Sequence, residues 1–267
     1  MVLSVATWNV NGYRSSESEL HSLVTRGDLD VVCLQEIKQR ELPPPFPGYT
    51  WFWNPAAHRP HLWGTAILAR TSLQPRLVEF NFTELLADEG RTIAIRLETL
   101  GISVVCVYSP NSGVERSKPL ARLGVRLEFD RALRQSLDAR VPGPYVVAGD
   151  FNVAIRECDV HNPKTLRRKA GFTNDERRSF DTVVTPGLAD AWATHTGADT
   201  EGFTFWGRHG TLKADNKGWR LDYVLFTPSP LLQIMSAVIR KDEFNSSDHV
   251  PLVARFGGGA LMPAASQ

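Results

Sequence analysis

Short runs of Val, Ile and aromatic residues recur along the chain, each stopped by Gly, Pro, Asn or Asp, and this pattern predicts β-strands. The runs are Val2–Asn9, Val31–Gln35, Ala66–Ala69, Thr92–Leu97, Ile102–Tyr108, Tyr145–Ala148, Phe203–Trp206, Leu221–Phe226, Ala237–Arg240 and Leu252–Phe256. Helical periodicity is rarer. Glu17–Thr25 has apolar Leu20, Leu23 and Val24, and Leu120–Leu137 places Leu123, Leu127, Leu133 and Leu137 on roughly one face. Asn174–Val184 follows a Thr173-x-x-Glu176 capping box. Many strands and few helices, in mixed order, predict a layered α/β sandwich rather than a regular βαβ repeat.

The polar positions are as regular as the apolar ones. Nearly every strand run ends on a polar cluster: Asn9 and Asn11, Glu36, Tyr108 and Asn111, Asp150 and Asn152, Asp222, Asp248 and His249. Gathered on one rim, these ends would build a single pocket rich in carboxylates and amides.

Composition narrows the partners. The 267 residues are 42% hydrophobic and 22% charged, ordinary for a globular chain, and the formal net charge is only +1. Nucleic-acid or phosphate binding must therefore come from local patches. Cys33, Cys106 and Cys158 are far apart with no CxxC pair, which argues against a zinc site and for an intracellular setting. No secretory signal and no membrane span is expected. No internal repeat or linker is evident, so residues 1–256 are expected to form one domain and 257–267 a flexible tail.

Taken singly, the polar ends are ambiguous. Glu36 directly after an apolar strand suits a ligand for Mg²⁺ or Mn²⁺, and equally a carboxylate paired with Lys38. The i, i+2 pair Asp150 and Asn152 suits activation and orientation of a water, and equally a strand-ending turn. His249 suits an imidazole oriented by Asp222, and equally a hydrogen-bonded loop histidine. Lys164, Arg167, Arg168 and Lys169 suit contacts to a phosphate backbone, and equally a solvated surface. A Ser-His-Asp hydrolase is disfavoured, because the chain lacks a Gly-x-Ser-x-Gly elbow.

Their combination and order are specific. Asn9-x-Asn11-Gly12, Leu34-Gln35-Glu36, Tyr108-x-Pro110-Asn111-Ser112-Gly113, Gly149-Asp150-Phe151-Asn152, Trp219-Arg220-Leu221-Asp222-Tyr223 and Ser247-Asp248-His249 follow one another along the chain. The set resembles the exonuclease III family of apurinic/apyrimidinic endonucleases, within the endonuclease/exonuclease/phosphatase superfamily. Two segments favour this family over its relatives. Asn162-Pro163-Lys164 with Ala170-Gly171-Phe172-Thr173 looks like the family's DNA-contacting loop. Phe205-Trp206 with Gly218-Trp219-Arg220 looks like its abasic-pocket segment.

The resemblance implies a four-layered α/β sandwich of two packed mixed sheets flanked by helices, the DNase I-like fold. It implies a metal-dependent endonuclease that cuts 5′ to abasic sites in double-stranded DNA, with 3′→5′ exonuclease or 3′-phosphodiesterase activity beside it. Glu36 would be the main ligand for Mg²⁺ or Mn²⁺, with Asn9, Asp150, Asn152 and Asp248 near the ion. Asp150 would activate water, Asn152 would orient it, and Tyr108 and Asn111 would contact the scissile phosphate. His249, held by Asp222, would stabilise the developing charge. Arg14, Asn111, Lys164, Arg167, Arg168 and Thr173 would contact DNA. Phe205, Trp219 and Leu221 would form the abasic pocket. A monomer is the expected state, in the cytoplasm of a prokaryote or the nucleus of a eukaryote.

The chain also departs from the pattern. Asn11 stands where the eukaryotic members carry Asp. Val114 stands where members that insert into the duplex carry Arg, with Arg116 two residues on. His209 replaces an inserting Met, and Leu166 and Lys169 stand where Asn is frequent. A phosphodiesterase acting on lipids or small nucleotides, and a non-catalytic DNA-binding descendant, are the competing readings.

Overall fold

A computed structural model describes residues 2–27, 29–113, 120–184, 187–207, 211–241 and 244–258. Val114, Arg116, His209 and residues 259–267 of the expected tail lie outside the described residues. Gly257, placed in that tail from sequence, closes the last strand instead.

Two six-stranded mixed sheets form the centre. Strands β1 (Val2–Asn9), β2 (Val31–Gln35), β3 (Tyr49–Asn54), β4 (Thr65–Arg70), β5 (Pro75–Phe80), β6 (Thr92–Leu97), β7 (Ile102–Tyr108), β8 (Tyr145–Asp150), β9 (Ala189–Asp190), β10 (Asp222–Phe226), β11 (Gln233–Ile239) and β12 (Leu252–Gly257) divide between them. One sheet runs β11-β12-β1-β2-β4-β3 and the other β5-β6-β7-β8-β10-β9. The apolar residues between them, including Val5, Cys33, Val104, Cys106, Val146 and Leu252, form a core shared by both sheets. Cys33 and Cys106 are buried here as small hydrophobes.

Helix α1 (Tyr13–Gly27) covers the outer face of the first sheet, packing Leu20, Leu23 and Val24 against Trp8, Val32 and Leu34. Helices α2 (Leu123–Arg140) and α4 (Asn174–Val184) cover the second sheet through Phe129, Leu133, Leu137, Phe180 and Val183. The order helix, sheet, sheet, helix gives the expected four layers. Short helices α3 (Pro163–Leu166) and α5 (Ala191–Thr196) lie in the later connections.

Several expected elements shift. Phe203–Trp206 is not a strand: Phe205 makes isolated bridges to Trp219 and His249, while Phe203 and Trp206 pack into the core beneath the first sheet. Leu120 has φ 68°, so the helix expected from there starts at Leu123. Its buried face is Arg126, Phe129, Asp130, Leu133 and Leu137 rather than a leucine stripe. Strands β3, β5 and β9 were not expected.

Register explains how distant residues meet. In the second sheet Tyr108 pairs with Asp150 across a parallel contact, and Asp150 pairs with Asp222 across an antiparallel one. Three polar residues thus lie in one row at one edge of the sheet. In the first sheet Asn9 pairs with Gln35, directly before Glu36. Gly149, one residue before the row, has no room for a side chain: a Cβ there would sit 1.9 Å from the Val107 carbonyl oxygen.

Candidate active site

The strand ends leave their sheets through tight backbone turns. Asn11, Glu36, Lys38 and Asn152 all have φ between 47° and 53°, left-handed values that non-glycine residues seldom adopt. These turns redirect the side chains from the sheet rim into a common hollow of about 350 Å³. Asn11, Glu36, Lys38, Tyr108, Asn111, Asp150, Asn152, Asp248 and His249 supply its polar wall. Phe205, Trp219 and Leu221, with Ala170 and Gly171, supply its apolar wall.

Glu36 anchors one side. Its Oε1 accepts from Asn9 Nδ2 at 2.9 Å and Tyr108 OH at 2.8 Å, and its Oε2 lies 2.7 Å from Lys38 Nζ. The ion pair with Lys38 read from sequence is therefore present, and Glu36 also belongs to the polar wall of the hollow. Burial would raise this carboxyl, but the Lys38 ammonium and the Asn9 and Tyr108 donors hold it below the usual carboxylate value. Lys38 also donates to Asn11 Oδ1 at 2.5 Å, and Asn11 Nδ2 donates to Asp248 Oδ1 at 2.8 Å. The two carboxylates are thus joined through one ammonium and one amide. Oxygen donors of this kind suit a hard divalent cation such as Mg²⁺ or Mn²⁺.

Asp150 sits at the centre. Asn9 Nδ2 donates to its Oδ2 at 2.9 Å, and its Oδ1 accepts the Asn152 amide N–H at 2.8 Å. Burial pushes its carboxyl up to about 7, with His249 opposing the rise and Asp222 adding to it. Asn152 Nδ2 donates to the Ser109 carbonyl at 2.9 Å, while Asn111 Nδ2 donates to Asn152 Oδ1 at 3.1 Å.

His249 faces Asp150 with Nε2 3.9 Å from Oδ2, and its Nδ1 lies 2.8 Å from Asp222 Oδ2. Burial alone would lower the imidazole, but Asp222 and Asp150 outweigh it and raise it to about 10. Asp222 Oδ1 is buried with no hydrogen-bond partner among the described residues. Ligand atoms of Asp150, Asp222 and His249 lie within 4.8 Å of one another, a spacing that also suits a metal. A protonated imidazole has no lone pair to offer a cation.

The apolar wall adjoins this cluster. The Phe205 ring lies 4.8 Å from that of His249, and Trp219 meets Phe172 edge-on at 6.3 Å. Trp219, Arg220 and Leu221 are held by Arg220, whose buried guanidinium meets Asp159 at 2.8 Å and Asp190 at 2.8 Å.

The remaining candidates do not line the hollow. Lys164, Arg167 and Arg168 are exposed, and Arg167 pairs with Glu157. Arg14 is exposed and donates to Gln39 at 3.1 Å. Thr173 differs: it is buried and caps α4, its hydroxyl accepting from the Glu176 amide at 3.2 Å while the Glu176 carboxylate accepts the Thr173 amide at 3.0 Å. Sequence reasoning passed over Lys38 as a site residue and did not single out Arg126 or Ser112. The position of Lys38, two residues after Glu36, was the available signal for the first.

The endonuclease/exonuclease/phosphatase family profile matches residues 6–249. The chain belongs to this family. An exodeoxyribonuclease of Bacillus subtilis is 33% identical over 259 residues, covering 94% of this chain and 98% of the relative. A DNA-(apurinic or apyrimidinic site) endonuclease of Dictyostelium discoideum is 32% identical over 263 residues, covering 94% of this chain and 69% of the relative. Among solved structures, an AP endonuclease of Leishmania major superposes with TM-score 0.84 at 26% identity, over 96% of this chain and 87% of that one. These bear out the exonuclease III-type resemblance and the DNase I-like sandwich read from the sequence. As in the sequence reading, no helix among the described residues is long and apolar enough to cross a membrane.

Proposed function

We propose that this family member is a metal-dependent DNA-repair nuclease that hydrolyses the phosphodiester 5′ to abasic sites, leaving a 3′-hydroxyl. A 3′→5′ exonuclease or 3′-end-cleaning activity accompanies it, in keeping with its exodeoxyribonuclease relative. The observation that carries the reading is the convergence of Glu36, Asp150 and His249 on one hollow with an apolar wall beside it.

Asp150 is the group to take a proton from water, because a carboxyl near 7 is an effective base at neutral pH. Asn152 orients that water, and Tyr108 and Asn111 meet the scissile phosphate. His249, kept protonated by Asp222, places positive charge where the phosphate oxygens gain negative charge. Preorganised donors of this kind contribute roughly 3–4 kcal/mol each to transition-state stabilisation. Glu36 and Asp248, with Asn9, Asp150 and Asn152 nearby, would hold Mg²⁺ or Mn²⁺. The bound ion supplies Lewis-acid stabilisation of phosphate charge.

Phe205, Trp219 and Leu221 receive a sugar that lacks its base. An abasic nucleotide is already unstacked and costs less to turn out of the helix, and the limited hollow excludes an intact nucleotide. Arg14, Lys164, Arg167 and Arg168 hold the backbone without reading sequence. The single domain acts as a monomer.

The test compares turnover of a duplex containing one tetrahydrofuran abasic analogue with turnover of intact duplex, an inositol polyphosphate and sphingomyelin. The abasic duplex is the expected preferred substrate. Preference for either small substrate would move the chain to the phosphodiesterase reading, and no turnover of any would favour a non-catalytic binder.

A further inference from the structure

We propose that Arg126 is a positioning residue that locks the two backbone segments carrying Asp150, Asn152 and Asn111 into one catalytic arrangement. The kinetic side of this proposal rests on the nuclease reading above; its structural side does not.

Arg126 belongs to α2 and is completely buried. Its Nε lies 3.0 and 3.1 Å from the two oxygens of Asp130, one helical turn on, which is buried as well. Its Nη1 leaves the helix and donates to two main-chain carbonyls, those of Phe151 and, at 3.4 Å, Pro110. Phe151 is the residue between Asp150 and Asn152. Pro110 directly precedes Asn111. One guanidinium edge therefore bridges the turn after β8 and the loop after β7.

These two segments need holding. Asn152 has φ 49°, a left-handed value that Asn tolerates better than other non-glycine residues but that still fixes the turn's geometry only when the neighbouring main chain is held. The side chains meet across the same gap, Asn111 Nδ2 to Asn152 Oδ1 at 3.1 Å. Arg126 fixes the main chain behind that contact. Helix α4 grips the same loop from its other side, where Glu176 accepts the Ser112 hydroxyl and the Gly171 and Thr173 amides. The catalytic turn is thereby tied to the two helices of the outer layer.

A buried Arg–Asp pair is a poor source of stability, since desolvation cancels most of its attraction and an apolar pair of similar volume often serves as well. What an apolar pair cannot do is donate to Phe151 and Pro110. This separates positioning from packing by experiment.

The test is the double variant Arg126→Met/Asp130→Leu, which removes both charges together and leaves no unpaired ion. It is compared with the parent for Tm, for single-turnover and steady-state incision of a tetrahydrofuran duplex with Mg²⁺, and for amide hydrogen exchange in residues 109–113 and 150–153. Expected are a Tm lowered only modestly, since two buried carbonyls lose their donor, a kcat lowered by roughly 10–100-fold at little-changed KM at a temperature where the variant stays folded, and faster exchange in both segments. The proposal is overturned if exchange in both segments matches the parent. It is equally overturned if kcat is retained, or falls only as far as a lowered Tm accounts for. If the parent itself fails to cut the duplex, the nuclease reading fails, and the exchange comparison still decides whether Arg126 holds the turn.

Discussion

His249 and Asp222 meet at 2.8 Å between Nδ1 and Oδ2, and nearly all the surface of both is out of water. The carboxylate fixes the imidazole with Nε2 towards Asp150 and keeps it charged. Its folded-state value is raised from 6.5 to about 10, so the pairing adds stability that is present below pH 6.5 and lost as pH rises through about 10. Asp222→Asn should lower the imidazole value, seen by NMR titration. It should also lower Tm most at pH 6.5 and below and least above pH 10. A variant whose imidazole still titrates near 10 would remove Asp222 as the cause.

Asp150 makes a kinetic prediction. Its carboxyl, pushed up to about 7 by burial, must be ionised to accept a proton, so incision should rise with pH on a limb near that value. A bound cation moves the limb to lower pH by favouring the carboxylate. Asp150→Asn should slow incision by about 1,000-fold and abolish the limb, while DNA binding stays close to the parent. Unchanged turnover would take the water-activating role away from Asp150.

The link between Glu36 and Lys38 predicts two changes of opposite sign. Glu36→Gln removes a carboxylate ligand and should raise the Mg²⁺ concentration for half-maximal activity at least tenfold. Lys38→Met removes the ammonium 2.7 Å from that carboxylate and should lower the same concentration, since two cations no longer share Glu36. A Mg²⁺ titration of both variants checks the pair, and a shift in the same direction for both would contradict the site beside Glu36.

Phe205, half-buried beside His249, bridges to the half-buried Trp219. Trp219→Ala should narrow the ratio of abasic to intact duplex cleavage by roughly tenfold or more, with a smaller effect on the cleavage step itself. Equal losses on both duplexes would place Trp219 outside substrate selection.

Much of this molecule was legible in its sequence because burial and chemistry leave separate marks. Val31–Gln35 and Ile102–Tyr108 are buried along their whole length and read as mostly apolar runs with the correct ends. The polar residues after each run stood out against them, and register then brought Tyr108, Asp150 and Asp222 into line. Other features left weaker marks. Strand β5 lies at a sheet edge, begins with proline and exposes Leu77 and Phe80, so it lacks a core-strand pattern. The face of α2 was misread because Arg126 and Asp130 are buried there as a pair, and charge in sequence reads as solvent. Phe203–Trp206 has strand composition, but Phe205 makes isolated bridges rather than a ladder. The capping role of Thr173 was visible in its spacing to Glu176; its burial was not.

The central claim is that one hollow assembled from strand ends cuts nucleic acid with the help of a cation. A duplex labelled at its 5′ end and carrying a single tetrahydrofuran residue tests this most directly, incubated with the purified protein in Mg²⁺ and in EDTA. The account predicts one labelled product ending in a 3′-hydroxyl immediately 5′ to the analogue, formed with Mg²⁺ and absent with EDTA. Uncut duplex in both reactions, or the same cut with the metal chelated, would contradict it.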